Sequence, residues 1–237
     1  MRALFLLFPK VTGPLRSFYN LYFGEREILY FYNYLKSYKN NYIFIDIGAN
    51  YGIYTFLFGK YSKITYVVEP VKDCLEYIKR GYRFNNIKTY NKVASDDNKV
   101  KTLNIPLVKK KPIYGRSSIN SKFEDSKKIL VESLKIDNLE ILDKQISENL
   151  IFIKIDVEGH ENFVVSGGKQ LFNSSKTVLL IEVEERHNQK FISLFQELLN
   201  YGFSIFYLEN QTLVRIKDLN NLKLIMKTNI NFIFKNY

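Results

Sequence analysis

Three stretches hold the residue types that could do chemistry. The first is Asp46-Ile47-Gly48-Ala49-Asn50-Tyr51-Gly52. Gly48 allows a tight turn and a close backbone approach to a ligand, because no Cβ stands in the way. Gly52 lets the following helix sit close to the strand. That helix aims its free N–H groups and positive dipole end at the crevice. Asp46 can accept hydrogen bonds from a bound polar group. The spacing is not the G-x-G-x-x-G of dinucleotide sites; Asp-x-Gly-x-x-x-Gly suits a ligand whose amino-acid end, and not a pyrophosphate, crosses the loop. The second stretch is Asp156-Val157-Glu158-Gly159-His160-Glu161, and the third is Glu182-Val183-Glu184-Glu185-Arg186-His187. Both are acid-rich, and both follow an apolar run.

The elements that must position these residues read as an α/β alternation. Tyr42 to Ile47 is apolar with almost no alternation, which marks a strand buried on both faces at the centre of a parallel sheet. Ile64 to Val68 is a second strand, and Glu69 stands at its tip, where α/β nucleotide folds hold ribose hydroxyls on a carboxylate. Asp73 to Asn85 reads as a helix and Ile87 to Val93 as a third strand. Ser95 and Asp96 follow at a carboxyl end, where a side chain could meet a base edge; Asp96-Asp97-Asn98 is equally good turn chemistry. Leu150 to Ile155 and Thr177 to Val183 are further buried strands, Phe191 to Asn200 a helix, and 202–208 with 211–216 a closing hairpin. Asn229 to Phe234 could be a last strand. Glu25 to Lys39 has helical spacing, with acids early and lysines late. The expected organisation is a helical extension over 1–40, a main α/β domain over 41–217 and a tail over 218–237 with a possible final strand.

The net charge is +11. Residues 98–128 contain nine basic groups, Lys109-Lys110-Lys111 and Lys122 among them, against Glu124 and Asp125. This segment reads as two strands flanking a mobile loop, an insertion suited to substrate selection. It could attract phosphate, an acidic glycan or an anionic membrane, or simply keep the chain soluble. The single Cys74 excludes a disulfide within the chain and fits the reducing cytoplasm. The run Ala3 to Phe8 is shorter than a usual signal core; with Arg2, Lys10 and Arg16 around it, it could touch a membrane surface or pack on its own domain.

The glycine run, Glu69-Pro70, Lys154-Ile155-Asp156-Val157-Glu158-Gly159-His160-Glu161 and Ile181-Glu182-Val183 together resemble the FkbM family of S-adenosylmethionine-dependent methyltransferases, from about Ile43 to Leu208. The resemblance implies a class I methyltransferase (Rossmann-like) fold: a seven-stranded, mostly parallel sheet with helices on both faces and the last strand antiparallel. It also implies O-methylation, often of sugars or other hydroxylated metabolites. The methionine end of the cofactor would then lie over Gly48 and Asn50 with its amine near Asp46, Glu69 would take the ribose, and Ser95 and Asp96 would border the adenine. An alcohol is a poor nucleophile at neutral pH, so a base within reach helps. Asp156 is read as that base or orienter, with Glu158 and Glu182 fixing the acceptor and Lys154 offsetting their charge. Glu161 is read as a helix cap, and His160 as the better orienting histidine of His160 and His187. Asp156, Glu158 and Glu182 could alternatively hold Mg²⁺ or Mn²⁺, although no metal is assigned. Two other readings compete: an RNA methyltransferase, favoured by the charge but lacking a nucleic-acid module, and a scaffold without chemistry.

Overall fold

The computed structural model describes residues 6–121, 123–141 and 143–237. Residues 3–5 of the apolar N-terminal run and Lys122 of the basic segment lie outside the described residues. The framework is an eight-stranded sheet. Its strands are β1 (Tyr42–Ile47), β2 (Ile64–Val68), β3 (Ile87–Tyr90), β8 (Leu150–Ile155), β9 (Thr177–Glu182), β10 (Ser204–Glu209), β11 (Thr212–Ile216) and β12 (Asn231–Lys235), in the order β11-β10-β12-β9-β8-β1-β2-β3. The five from β3 to β9 pair in parallel. This is the mostly parallel α/β arrangement that the resemblance implies, with one strand more than the seven expected: β11 extends the edge as the second arm of a hairpin. β12 is antiparallel to both its neighbours, as expected of the last strand. It lies between β9 and β10, inside the sheet, so the segment drawn as a tail supplies a core strand, with Phe232, Ile233 and Phe234 fully buried.

Each central strand buries both faces, and alternate residues belong to different cores. Ile43, Ile45 and Ile47 of β1 pack with Ile151, Ile153 and Ile155 of β8. On that face they meet α6 (Glu161–Ser166), α7 (Lys169–Ser174) and α8 (Phe191–Asn200). Tyr42, Phe44 and Phe152 point the other way, onto α2 (Arg26–Lys36) and α3 (Ile53–Phe58). Phe31 of α2 packs its ring 4.7 Å from that of Phe152. Full burial of one such ring stabilises the fold by roughly 1.5–3 kcal/mol. α4 (Lys72–Gly81) continues this layer over Val67.

α1 (Pro9–Phe23) lies outside α3 and α4 and buries only Pro9, Gly13, Ser17 and Leu21, an i, i+4 stripe. The stripe is small because the helix sits close: a Cβ on Gly13 would meet the Phe56 ring at 2.5 Å. No helix among the described residues is long and apolar enough to cross a membrane.

The third strand ends sooner than expected. β3 stops at Tyr90, and Val93–Ala94 form β4 in a second sheet with β5 (Val100–Val108), β6 (Lys111–Pro112) and β7 (Ser126–Leu134), order β4-β7-β5-β6. The two strands expected in 99–135 are β5 and β7. The remaining short helix, α5 (Asp143–Glu148), precedes β8. α9 (Leu222–Ile225) leads into β12.

Candidate functional site

The chain runs β1, β2, β3 outward and then returns to place β8 on the other side of β1. Open α/β sheets bind ligands at such a reversal, outside the carboxyl ends of the strands. Here the two ends touch. Gly48 has φ +75°, and a Cβ on it would sit 1.8 Å from the Asp156 carbonyl oxygen. Asp156 N–H donates to the Ile47 carbonyl at 3.1 Å. The glycine loop and the acidic loop are therefore one construction, and the contact requires a residue without a side chain.

Above this contact lies a cavity of about 580 Å³, open solvent included. Gly48, Asn50, Glu69, Asp156, Glu158 and His160 line it, six of the expected site residues. Its walls grade from apolar to acidic. Val68, Val93, Ala94, Leu103 and Ile119 form one side, and Asp156 with Glu158 the other. Glu69 is fixed by two backbone donors, Asn50 N–H to Oε2 and Val71 N–H to Oε1, each at 2.7 Å. Burial pushes its carboxyl up to about 7. Asn50 takes a positive φ of 50° to turn its N–H inward. Its side-chain Oδ1 faces Cys74 Sγ at 3.6 Å, and burial pushes that thiol up, which fits a packed core cysteine.

Asp46, Gly52, Ser95, Asp96 and Glu182 do not line this cavity. Asp46 points to the α2–α3 face, accepts from the Thr55 hydroxyl and is raised by burial to about 6. Gly52, at φ +76°, starts α3, and its missing Cβ leaves room for Ile78 of α4. Ser95 turns toward α6. Its Oγ lies 3.0 Å from His160 Nε2, and its carbonyl fills the space a Cβ would need on Gly167. Asp96 follows it, 3.2 Å from the Ser95 hydroxyl. His160 is buried, stacks on Phe163 and meets Asn120 through Nδ1; burial lowers it to about 4, so it is neutral at physiological pH. That suits orienting and rules against a cationic role.

Glu182 sits on the same sheet face as Asp46. Between them is Lys154, opposite Asp46 in the β1–β8 register. Lys154 Nζ lies 3.7 Å from Glu182 Oε2, 3.5 Å from Asn231 Oδ1 and over the Tyr54 ring. Burial disfavours its charge, but Asp156, Glu182, Glu25 and Asp46 outweigh that and raise it overall. Burial, then the Asp156 charge, raises Glu182 to about 8. Burial also raises Asp156. Glu25, which the sequence reading left as a helix-start acid, closes this network by accepting from Tyr54 OH at 2.6 Å and Asn231 Nδ2 at 3.2 Å.

Glu158 has φ +51°, and with Asp156, Glu182, Glu184 and His187 it lines a second, smaller cavity of about 180 Å³, open solvent included. Burial, then Asp156, raises Glu158 to about 7. It lies 3.3 Å from His187 Nε2, out of hydrogen-bond alignment. Ligand atoms of Glu158, Glu184 and His187 fall within 4.8 Å of one another, a set that could hold a divalent ion. It shares only Glu158 with the trio considered from sequence. Glu161 accepts from Gly159 N–H, which precedes the helix, and from Asn188, and so secures the turn.

The basic insertion closes the cavity from above. Tyr114, Gly115, Ser117 and Ile119 line it. Ser118 Oγ donates to the Glu158 carbonyl at 2.7 Å, Asn120 Nδ2 donates to that of Gly159, and Tyr114 OH donates to Asp73 at 2.8 Å. The segment read as a mobile loop is thus tied to the acidic turn. Its lysines Lys109–Lys111 form an exposed turn away from the lining. Nothing local in the sequence signals Ser118 or Asn120, whose partners lie about forty residues ahead.

A model of the FkbM methyltransferase domain matches residues 46–205, more than half of the chain. The chain belongs to the FkbM methyltransferase family. That family is one of S-adenosylmethionine-dependent methyltransferases. The FkbM methyltransferase of Methylobacillus flagellatus KT is 16% identical over 83% of this chain and 44% of that one, with a TM-score of 0.50. The chain thus spans less than half of that protein, and the likeness bears on fold alone. The Streptococcus mutans protein SMU.1697c, solved in complex with SAH, is 12% identical over 89% of this chain and 98% of that one, with a TM-score of 0.49. No curated protein matches the chain. The cavity of this FkbM chain fits the cofactor's chemistry: an apolar wall for a base, a backbone-pinned carboxylate for two hydroxyls, and acids beside a Cβ-free turn for a cationic amino-acid end.

Proposed function

We propose that this protein is an O-methyltransferase acting in the cytoplasm on a hydroxyl of a sugar, cell-surface glycan or related small metabolite. The observation that carries this is the meeting of Asp156 and Glu158 with Gly48, Asn50 and Glu69 around one cavity. When bound, S-adenosylmethionine supplies an electrophilic sulfonium methyl group. Gly48 and Asn50 hold its amino-acid end, Glu69 accepts from its ribose hydroxyls, and Val93 and Ala94 border its base. Asp156 accepts the proton of the acceptor hydroxyl or orients it. A carboxyl raised by burial is the better base, because efficiency rises as its pKa nears the working pH. Glu158 holds neighbouring hydroxyls. Glu182, in the adjoining acidic cavity, acts through Lys154 and sets the charge that Asp156 feels. The insertion roofs the cavity and keeps water out, and holding the acceptor in line provides much of the rate.

An RNA acceptor fits less well. Asp156, Glu158, Glu182 and Glu184 crowd the acceptor side and repel a phosphodiester, while Lys109–Lys111 lie outside the lining. Incubation with methyl-labelled S-adenosylmethionine and fractionated cell glycans tests the reading. Label in an alkali-stable methyl ether is expected; label in RNA, or in esters alone, would overturn it.

A further inference from the structure

α1 hides one narrow stripe and leaves a wide apolar face uncovered. Val11, Leu15, Phe18, Tyr19, Tyr22 and Phe23 are each more than half exposed. Val11, Leu15, Phe18 and Tyr22 follow i, i+4, i+7, i+11, a continuous helical face. Scattered exposed apolar residues are ordinary; a contiguous aromatic patch on one helix marks a docking surface.

Beside this face runs an open groove between α1 and the ends of α3 and α4, of about 1230 Å³ with open solvent included. Val11, Leu15, Phe18 and Phe84 form its apolar wall, and Lys10, Lys60 and Arg83 are its charged groups. No carboxylate is among its described lining residues, and α1 has none along its length. The Ser17 hydroxyl, on a residue 1% exposed, also lines the groove and has no partner.

We infer that the α1 face and this groove dock the protein on a bilayer surface bearing anionic phospholipid, with the aromatic face at the acyl boundary and Lys10, Lys60 and Arg83 on the phosphates. Aromatic and aliphatic side chains on one face with cations at the margin is the pattern of interfacial helices. Charge decides between a membrane and a second copy. A two-fold dimer through this face would set the same cations against themselves in a chain of net charge +11. An anionic surface complements them. The inference does not depend on which hydroxyl is methylated.

Flotation of the full chain with vesicles tests it. Vesicles of phosphatidylcholine with 30% phosphatidylglycerol should bind on the order of a hundredfold more tightly than phosphatidylcholine alone, since three cations each gain about a factor of five at an anionic surface. Leu15→Ser with Phe18→Ser should lose at least about tenfold on the anionic vesicles, with circular dichroism and S-adenosylmethionine binding unchanged. Lys10→Glu with Arg83→Glu should abolish the difference between the two vesicle types. Equal or absent binding to both vesicles by the unmodified chain would overturn the inference. So would a dimer in analytical ultracentrifugation that Phe18→Ser dissociates.

Discussion

Glu69 gives the sharpest test of the cofactor site. It is 4% exposed, held by two backbone N–H groups, and raised by burial to about 7. A carboxyl at that value is half protonated at pH 7, and ribose hydroxyls, as donors, favour the anion. Binding must then expel a proton. The cost scales as one plus ten to the power of pKa minus pH, so affinity should fall about tenfold from pH 8 to pH 6, or about 1.4 kcal/mol. Isothermal titration with S-adenosylmethionine in two buffers of different ionisation enthalpy reads this directly. Proton release should approach one per site at pH 6 and about 0.1 at pH 8. Asp156 and Glu158 titrate nearby, so the decisive comparison is with Glu69→Gln. The amide cannot accept from both Asn50 and Val71, and leaving one N–H unpaired costs about 1–3 kcal/mol. Affinity at pH 8 should drop roughly tenfold to a hundredfold, and the change in log Kd between pH 6 and 8 should shrink by about one unit in total. If Glu69→Gln keeps both the affinity and the slope of the unmodified protein, the assignment of Glu69 to the ribose is wrong.

Other outcomes follow from the same geometry. Asp156→Asn should leave S-adenosylmethionine affinity within a few-fold but lower turnover by roughly 10²–10⁴; wild-type rates in steady-state assays would remove it from the mechanism. Gly48→Ala should cost at least about 2–3 kcal/mol, because the Cβ would overlap the Asp156 carbonyl at a positive φ, and urea titration would show it. Glu182 is raised in the folded state, so its stabilisation is complete below about 4.5 and is lost as pH climbs through about 8. The cofactor-free protein should lose on the order of 2 kcal/mol from this group between pH 6.5 and 8.5, lowering Tm by about 4–8 °C, and Glu182→Gln should remove that loss. If Glu158, Glu184 and His187 hold a divalent ion that the reaction uses, excess EDTA should abolish turnover and Mg²⁺ or Mn²⁺ should restore it; unchanged turnover would remove the metal from the chemistry.

The parts of this molecule that a linear reading reaches are those written in local pattern. The runs at 42–47, 64–68 and 150–155 are apolar at all but one position each (Asp46, Thr65 and Lys154) because both faces are buried, and the strand bounds agree residue for residue. The glycine loop was legible because φ +75° and a backbone contact leave few residue choices. What escaped depends on parity and on distant partners. Asp156, Glu158 and Glu182 read as one cluster by position after their strands, and they line one small cavity; the contacts each makes beyond it were not legible. Strand alternation puts Glu182 beside Lys154, and the left-handed turn at Glu158 brings that side chain to His187. Ser95 and Asp96 follow β4 and not β3, a change of sheet at Val93 that no composition shift announces. The eighth strand was visible as a hairpin arm, but whether it joined the main sheet is settled only by tertiary pairing.

The placing of β12 has a bearing on how the protein is made. It is the last strand in chain order, yet β9 on one side and β10 on the other both wait for it. Until it is synthesised and threaded in, β9 and β10 each present an unsatisfied edge, a hazard for pairing with a neighbouring chain. Asn231, which bridges Glu25 and Lys154, arrives with that strand. The buried lysine and its surrounding acids therefore acquire their final arrangement only once β12 is in place, so a chain that lacks it is poorly placed to begin chemistry.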